Sequence, residues 1–116
     1  MKNFKELDVW QKSVDLVKVI YSITAKFPAN ERFGLTSQIQ RAAVSIPSNI
    51  AEGFNRQHTG EYKQFVHIAL GSAGELETQL VICNRLTLLS EEDFKRISER
   101  LSEVTKMLGG LSRAIN

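Results

Sequence analysis

Apolar residues recur every three or four positions through most of the chain, and no segment alternates strictly between apolar and polar residues. This spacing predicts helices and no strands. The expected helices run from Asp8 to about Phe27, from Thr36 to Gly53 or Phe54, from Thr59 to about Leu88, and from Ser90 to near Arg113. Because their connections are short, the sequence predicts an all-α fold, one antiparallel up-down four-helix bundle over residues 1–116.

Capping residues and one proline set these boundaries. Asp8 with Gln11 resembles a capping box, Thr36 and Thr59 are good N-cap residues, and Ser90 is followed by Asp93 three positions on. Pro28 disfavours helical geometry in the residue before it and so ends the first helix.

The last three helices each present one apolar face, which predicts the core. The second contributes Ile39, Ala42, Ala43, Ile46 and Ile50; the third Tyr62, Phe65, Val66, Ala69, Ala73, Leu76, Leu80 and Cys83; the fourth Phe94, Ile97, Leu101, Val104, Leu108, Leu111 and Ile115. Gly71 and Gly74 each cost about 1 kcal/mol relative to alanine in a helix interior. We interpret them as a patch that lets a neighbouring helix approach closely.

The first helix is apolar over an arc wider than one core requires. Trp10, Val14, Val17 and Tyr21 form one stripe, and a second stripe lies roughly 120° round the helix. The second stripe, taken as the oligomer interface, consists of Val9, Leu16, Ile20, Ile23 and Phe27. Such an excess predicts self-association. The alternative is that connecting segments of the same chain cover it.

A polar seam runs along the second helix beside its core face. It consists of Arg41, Ser45, Ser48 and Glu52, with Asn49 flanking. Arg41 and Glu52 are three turns apart, about 16 Å, and cannot pair with each other. Pro47 inside this helix predicts a kink. Two interpretations stay open: the seam fixes the register of helices or subunits, or it contacts a ligand.

Composition and charge limit the classes of function. The 116 residues are 42% hydrophobic and 24% charged, with a net charge of +2 and one cysteine, Cys83. The single cysteine excludes an internal disulfide and suits a reducing compartment. The apolar stretch from Val14 to Ala25 carries two charged residues and is too short for a membrane span, and no secretory signal opens the chain. We therefore expect a cytoplasmic protein without a membrane partner.

Nothing in the sequence suggests an enzyme. His58 and His67 do not belong to a metal-spaced set, Ser45 and Ser72 lie in no nucleophile elbow, and no glycine-rich phosphate loop precedes a helix. The prediction is a protein with no catalytic residue, no cofactor and no metal.

Basic residues are concentrated in the first half. Residues 1–58 hold eight Lys/Arg against five Asp/Glu, whereas the remainder holds seven against eight. The candidate nucleic-acid contacts are Lys12, Lys18, Lys26, Arg41 and Arg56. A symmetric oligomer would repeat such a patch and add weak phosphate contacts together. The alternative is that these residues are solubilising surface charges.

Three segments carry a family resemblance: FKELDVWQKS (4–13), FPANERFGLTSQIQRAAVSIPSNIAEG (27–53) and IALGSAGELET (68–78). Together they resemble the bacterial four-helix bundle family that includes proteins encoded within intervening sequences of 23S ribosomal RNA genes. The resemblance covers essentially the whole chain. The chain is similar also to the accessory variability determinant of diversity-generating retroelements.

The resemblance implies a homopentamer and, by analogy with that determinant, binding to nucleic acid and to a nucleic-acid enzyme, a reverse transcriptase. The expected partners are therefore further copies of the chain, RNA or DNA, and such an enzyme. The leading interpretation is a non-enzymatic homopentamer that binds structured RNA. The alternative is a protein-interaction scaffold with no direct nucleic-acid contact.

Overall fold

The computed structural model describes residues 2–116, and within them four α-helices and no strand. The helices are α1 (Asp8–Thr24), α2 (Leu35–Phe54), α3 (Thr59–Arg85) and α4 (Glu91–Ala114), with 3-10 turns at Phe4–Glu6 and Ala29–Glu31. Each helix contacts two others, in the order α1, α2, α3, α4 and back to α1. The packed helices measure 43 × 24 × 20 Å. The prediction of an all-α, four-helix fold is confirmed.

The apolar faces predicted for α2, α3 and α4 form the core. All five predicted residues of α2 are buried. From α3 and α4 the core takes Val66, Ala69, Ala73, Leu76, Leu80, Cys83, Ile97, Leu101, Val104, Leu108 and Ile115. Tyr62, Phe94 and Leu111 are half-buried against its edge. Helical periodicity found these positions because each of these helices has a single apolar face.

The structure overturns the interface assigned to α1. Four residues of the predicted oligomer interface lie in the chain's own core: Val9, Leu16, Ile20 and Ile23, at 5%, 1%, 0% and 2% exposure. Phe27 is half-buried against the same core. The other stripe is the partly exposed one, with Tyr21 at 45% exposure.

Contacts with distant parts of the chain mark this rotation of α1. Thr24 accepts a hydrogen bond from Gln40 of α2 (3.1 Å), and Lys12 forms an ion pair with Glu103 of α4 (3.2 Å). These two positions flank the stripe that contains Leu16 and Ile20. The stripe between them therefore faces inward.

The start of α1 differs from the prediction. Leu7, which has no side-chain capping bond, precedes α1, so the predicted box of Asp8 with Gln11 is wrong. A capping box lies earlier, in the first 3-10 turn, where Glu6 accepts hydrogen bonds from the backbone of Asn3 (3.1 Å) and Lys2 (2.6 Å). These bonds lower the pKa of the Glu6 carboxyl.

The end of α1 lies three residues before the predicted position. After Thr24 the backbone continues through tighter turns, with Lys26 N–H donating to Ile23 (3.1 Å) and Phe27 N–H to Thr24 (3.0 Å). Such short-range bonds commonly replace α-helical ones at a helix terminus. Pro28 follows Phe27 directly and ends the helical region for the predicted reason. The α-helix itself ends at Thr24, before the predicted residue.

The remaining caps divide into one success and two failures. Ser90 accepts a hydrogen bond from Asp93 N–H (3.1 Å) and caps α4 as predicted. Thr36 and Thr59 lie inside α2 and α3, whose N-cap positions are Gly34 and His58 without side-chain bonds. Helix α3 begins one residue earlier than the hydroxyl of Thr59 could cap, and α2 begins two residues earlier than that of Thr36 could.

Helix α3 ends at Arg85 instead of Leu88 because Thr87 adopts a left-handed conformation, with φ of 60°. The N–H of Leu88 then donates to the carbonyl of Cys83 (3.0 Å). That long backward bond is typical of a Schellman termination. Threonine rarely adopts a left-handed conformation, so the chain reversal before α4 imposes this conformation on Thr87.

The interpretation of Gly71 and Gly74 as a close-packing patch is wrong within this chain. A Cβ added to either would meet nothing within 4 Å. Close approach of α2 and α3 depends instead on Gly53, where a Cβ would lie 2.7 Å from Cβ of Phe65, and on buried alanines. Spacing alone could not distinguish glycines that face a neighbour from glycines that face outward.

No helix within residues 2–116 has the length and apolar character that crossing a membrane requires.

Candidate functional site

Half of the polar seam on α2 ties two helices of the same chain together. The hydroxyl of Ser45 lies 2.8 Å from that of Ser72 on α3. Asn49 donates from Nδ2 to the carbonyl of Ser45 (2.8 Å) and to its hydroxyl (2.9 Å). These bonds fix the register of α2 against α3, which supports the architectural interpretation for this part of the seam.

The outer members of the seam, Arg41, Ser48 and Glu52, are exposed. Glu52 forms an ion pair with Arg56 one turn later (3.0 Å). Arg41 has no carboxylate within ion-pair distance among residues 2–116. The seam therefore combines an internal hydrogen-bond cluster with one cation that the chain leaves unpaired.

Three of the five predicted nucleic-acid contacts are paired with carboxylates of the chain. Lys12 pairs with Glu103, Lys26 with Asp93 (3.1 Å) and Arg56 with Glu52. Exposed pairs of this kind contribute little to stability, but each carboxylate offsets the local positive charge.

Arg56 is held further by Glu61 (3.8 Å) and by the ring of Phe65, whose centroid is 4.9 Å from the guanidinium carbon. Lys18 and Arg41 are the two of the five without a carboxylate partner in the described chain. The predicted patch of five cations is therefore reduced to two that are electrostatically free.

A cleft between α1 and α2 contains Arg41. This central cleft has a volume of about 360 Å³ and is lined by Tyr21, Ser37, Gln40, Arg41, Val44 and Ser45. Tyr21 from α1 and Val44 from α2 are 45% and 40% exposed. An arginine beside an exposed aromatic ring can contact a phosphate and stack against a base.

A second cleft continues from the first toward the start of α2. This terminal cleft, of about 550 Å³, shares Ser37 and Gln40 with the central cleft and adds Arg32, Phe33 and Thr36 among its lining residues. Among residues 2–116 no carboxylate lines either cleft, and the one nearest the start of α2 is Glu31, whose Oε2 lies 3.5 Å from where a Cβ of Gly34 would be. By contrast, a larger depression along α4 is lined by three carboxylates, Glu91, Glu99 and Glu103, which outnumber its two lysines, Lys95 and Lys106. An anionic ligand is therefore favoured by the clefts on α1 and α2 and not by α4.

Sequence reasoning missed Arg32, Phe33 and Tyr21. Arg32 and Phe33 lie in a segment interpreted only as a connector, and Tyr21 was grouped with an apolar stripe. An Arg-Phe-Gly sequence directly before a helix start is the local feature that could have marked the first two.

Two further groups, Cys83 and His67, lie where elements of the fold meet. Cys83 is buried, as predicted, and burial raises the pKa of its thiol, with the charge of Glu31 raising it further. His67 lies on the exposed side of α3 and its Nε2 is 2.8 Å from the hydroxyl of Ser112 on α4. Both groups serve contacts between elements of the fold.

Comparison with known proteins then identifies the family. The family model described as 23S rRNA-intervening sequence protein matches residues 5–110. The chain belongs to this family. Among curated proteins there is no significant match.

A solved structure supports the same assignment. It is the crystal structure of a protein with unknown function, from the S23 ribosomal protein family, from Bacteroides thetaiotaomicron. The two chains are 26% identical and superpose with a TM-score of 0.82, covering 91% of this chain and 99% of the other. The four-helix fold of this member of the 23S rRNA-intervening sequence family is therefore shared with that relative.

Proposed function

We propose that this chain is a non-enzymatic accessory protein that binds nucleic acid, structured RNA in particular, as a homopentamer of antiparallel bundles. The family's description as 23S rRNA-intervening sequence protein supports RNA as the ligand class. The observation that carries the proposal is the central cleft, which is lined both by the 45% exposed Tyr21 and by Arg41, an arginine without a carboxylate partner within residues 2–116. Arginine in such a setting contacts phosphates, and the ring offers a stacking surface.

Repetition of the cleft is central to the proposal. One arginine in this cleft, Arg41, and one lysine on α1, Lys18, give each subunit only weak phosphate contacts. Five copies around a ring raise the effective concentration of each contact once the first has formed. Binding should therefore depend strongly on assembly and on salt.

The exposed apolar side chains of α3 support assembly. Ile68 and Ile82 are 45% and 42% exposed, and Gly71, one turn from Ile68, has open space beside it. Apolar side chains flanking a glycine allow a helix from another copy to approach closely. Ring closure requires a head-to-tail contact, in which this face of α3 meets a different face of the next copy.

A titration at several salt concentrations tests RNA binding. The ligands are an RNA hairpin, a duplex DNA and an unstructured single strand. We expect tightest binding to the hairpin, with an affinity that falls steeply as salt rises. Arg41→Ala should weaken binding without changing native mass. It should also reduce the salt slope by about one for each phosphate that the arginine neutralises in the wild type.

Lys12→Ala is the matched control, because Lys12 is already paired with Glu103. It should leave the affinity close to that of the wild type. Equal effects of the two variants would mean that the central cleft is not the contact surface. Absence of binding to all three ligands at low salt would contradict the proposal.

The second candidate function is a protein-interaction scaffold, with a nucleic-acid enzyme as the partner class. Two observations favour it: three of the five predicted basic contacts are ion-paired, and Ser45 and Asn49 are engaged within the chain. If Arg41→Ala lowers native mass and no ligand binds, the seam is architectural and this function replaces the first.

A further inference from the structure

The start of α2 presents unpaired backbone donors to the terminal cleft. Helix α2 follows Gly34, which has no side chain with which to cap it. The first helical bond is donated by Gln38 to Gly34 (3.1 Å), and the N–H groups of Thr36 and Ser37 donate no hydrogen bond within residues 2–116. Free N–H groups at the positive end of a helix favour an anion.

Two side chains at the same place independently point to a ligand. The hydroxyl oxygen of Thr36 is buried and has no hydrogen-bond partner. A buried polar atom without a partner is costly. The side chain of Thr36 is only partly buried and lines the cleft, so a change of rotamer would bring this hydroxyl to a ligand phosphate. Arg32 lines the same cleft without a carboxylate within ion-pair distance in the described chain.

Phe33 supplies a surface of a different kind. It is 90% exposed, and the guanidinium carbon of Arg32 is 5.7 Å from its ring centroid. An exposed aromatic ring beside a cation is the combination on which unpaired nucleic-acid bases stack. A phosphate alone would need the helix start and Arg32 but not this ring.

We infer that the terminal cleft binds an unpaired nucleotide of RNA, with its phosphate at Arg32 and the start of α2 and its base stacked on Phe33. The inference rests on the proposed function and specifies the part of a structured RNA that is recognised, its unpaired loop. Since Ser37 and Gln40 line both clefts, the same strand continues toward Arg41 and Tyr21.

The test compares variants and probes on the full-length protein. Calorimetric titrations use AMP, adenosine and inorganic phosphate, and anisotropy titrations use a hairpin with an unpaired loop and a blunt, fully paired duplex of equal length. We expect AMP to bind more tightly than adenosine or phosphate. The hairpin should bind more tightly than the duplex.

Variants then separate the two halves of the cleft. Phe33→Ala should weaken AMP and the hairpin by about tenfold, as for the loss of one stacked base, and leave phosphate unchanged. Arg32→Gln and Thr36→Val should weaken phosphate and AMP and leave adenosine unchanged. Leu86→Ala, which truncates another exposed apolar side chain (56%), is the control and should change nothing.

Each outcome decides between the two proposals. If the hairpin binds equally to the wild type, Phe33→Ala and Arg32→Gln, the inference is wrong and the proposed function stands. If AMP binds but no RNA does, the cleft takes a free nucleotide, and both the RNA inference and the proposed function are wrong. Binding of neither AMP nor RNA overturns both, and equal affinity for hairpin and blunt duplex overturns the inference alone.

Discussion

Single residues show how differently the same amino acid acts at different places in this bundle. Gly53 lies where α2 meets α3, and a Cβ there would be 2.7 Å from Phe65 Cβ and 3.1 Å from the carbonyl of Tyr62. Gly71 is also helical, yet a Cβ there meets nothing within 4 Å. The first glycine is required by packing, and the second is not required by anything within its own chain.

Substitution by alanine should therefore have opposite effects at these two glycines. Gly53→Ala should lower the free energy of unfolding by about 1–3 kcal/mol, because backbone and Cβ atoms must move to admit the methyl group. Gly71→Ala should raise it by about 1 kcal/mol through helix propensity. Urea unfolding followed by circular dichroism measures both. The gain from Gly71→Ala applies to the subunit alone. In the proposed assembly another copy approaches α3 beside Gly71, so Gly71→Ala should also lower the native mass. An unchanged native mass would contradict an interface at this face.

At the scale of elements, a capping sequence pattern is reliable only when the helix starts at the expected residue. Ser90 caps α4, whereas Thr59 is already the first residue of α3 and its hydroxyl makes no capping bond. A shift by two residues removes Thr36 from the cap of α2, whose N-cap is Gly34. What fixes the start in both cases is the path of the connector, which local sequence does not encode.

A pair of substitutions tests this distinction. Ser90→Ala should cost about 1 kcal/mol of unfolding free energy, because the N–H of Asp93 loses its acceptor. Thr59→Ala should change the free energy by less than about 0.5 kcal/mol, as for an exposed residue without a specific contact. Thermal unfolding of the two variants side by side provides the comparison. Equal losses would show that Thr59 caps α3 in solution.

At the scale of the whole molecule, α1 decides which apolar surface remains outside. Its inward stripe is covered by α2, α4 and the core, and exposed apolar side chains remain on α1, α2 and α3, represented by Tyr21, Val44 and Ile68. Acidic residues line the α4 depression, whereas the clefts beside α1 and α2 have none. The molecule therefore has distinct faces, which a symmetric assembly can use for different contacts.

Two charge substitutions separate the core from the proposed assembly surface. Ile20→Glu should unfold the chain, because Ile20 is 0% exposed and burying a carboxylate costs several kcal/mol of a total stability of about 5–15 kcal/mol. Ile68→Glu should remain helical but lower the native mass. Circular dichroism and native mass spectrometry on the same preparations distinguish these results. A folded, dissociated Ile20→Glu would return the interface to the inner stripe of α1.

Much of the fold follows from local sequence. The number of helices and the core faces of α2, α3 and α4 follow from periodicity, because a single apolar stripe leaves only one face to bury. The stop at Pro28 and the cap at Ser90 are likewise local, since each acts within one turn of its own helix. The three motifs that carry the family resemblance cover residues 4–13, 27–53 and 68–78. They include the start of α1, most of α2 and the middle of α3.

The tertiary structure alone decided the rotation of α1 and the composition of the candidate site. Two stripes of α1 are similarly apolar, and packing against the other helices decides which one is buried, with the Thr24–Gln40 and Lys12–Glu103 contacts at its flanks. The ion pairs of Lys12 and Lys26 join residues that are far apart in the chain. The ion pair of Arg56, and the two clefts that contain Arg32 and Arg41, depend on the path of a connector. Local periodicity specifies which residues form a face, but only packing against distant elements specifies where that face points.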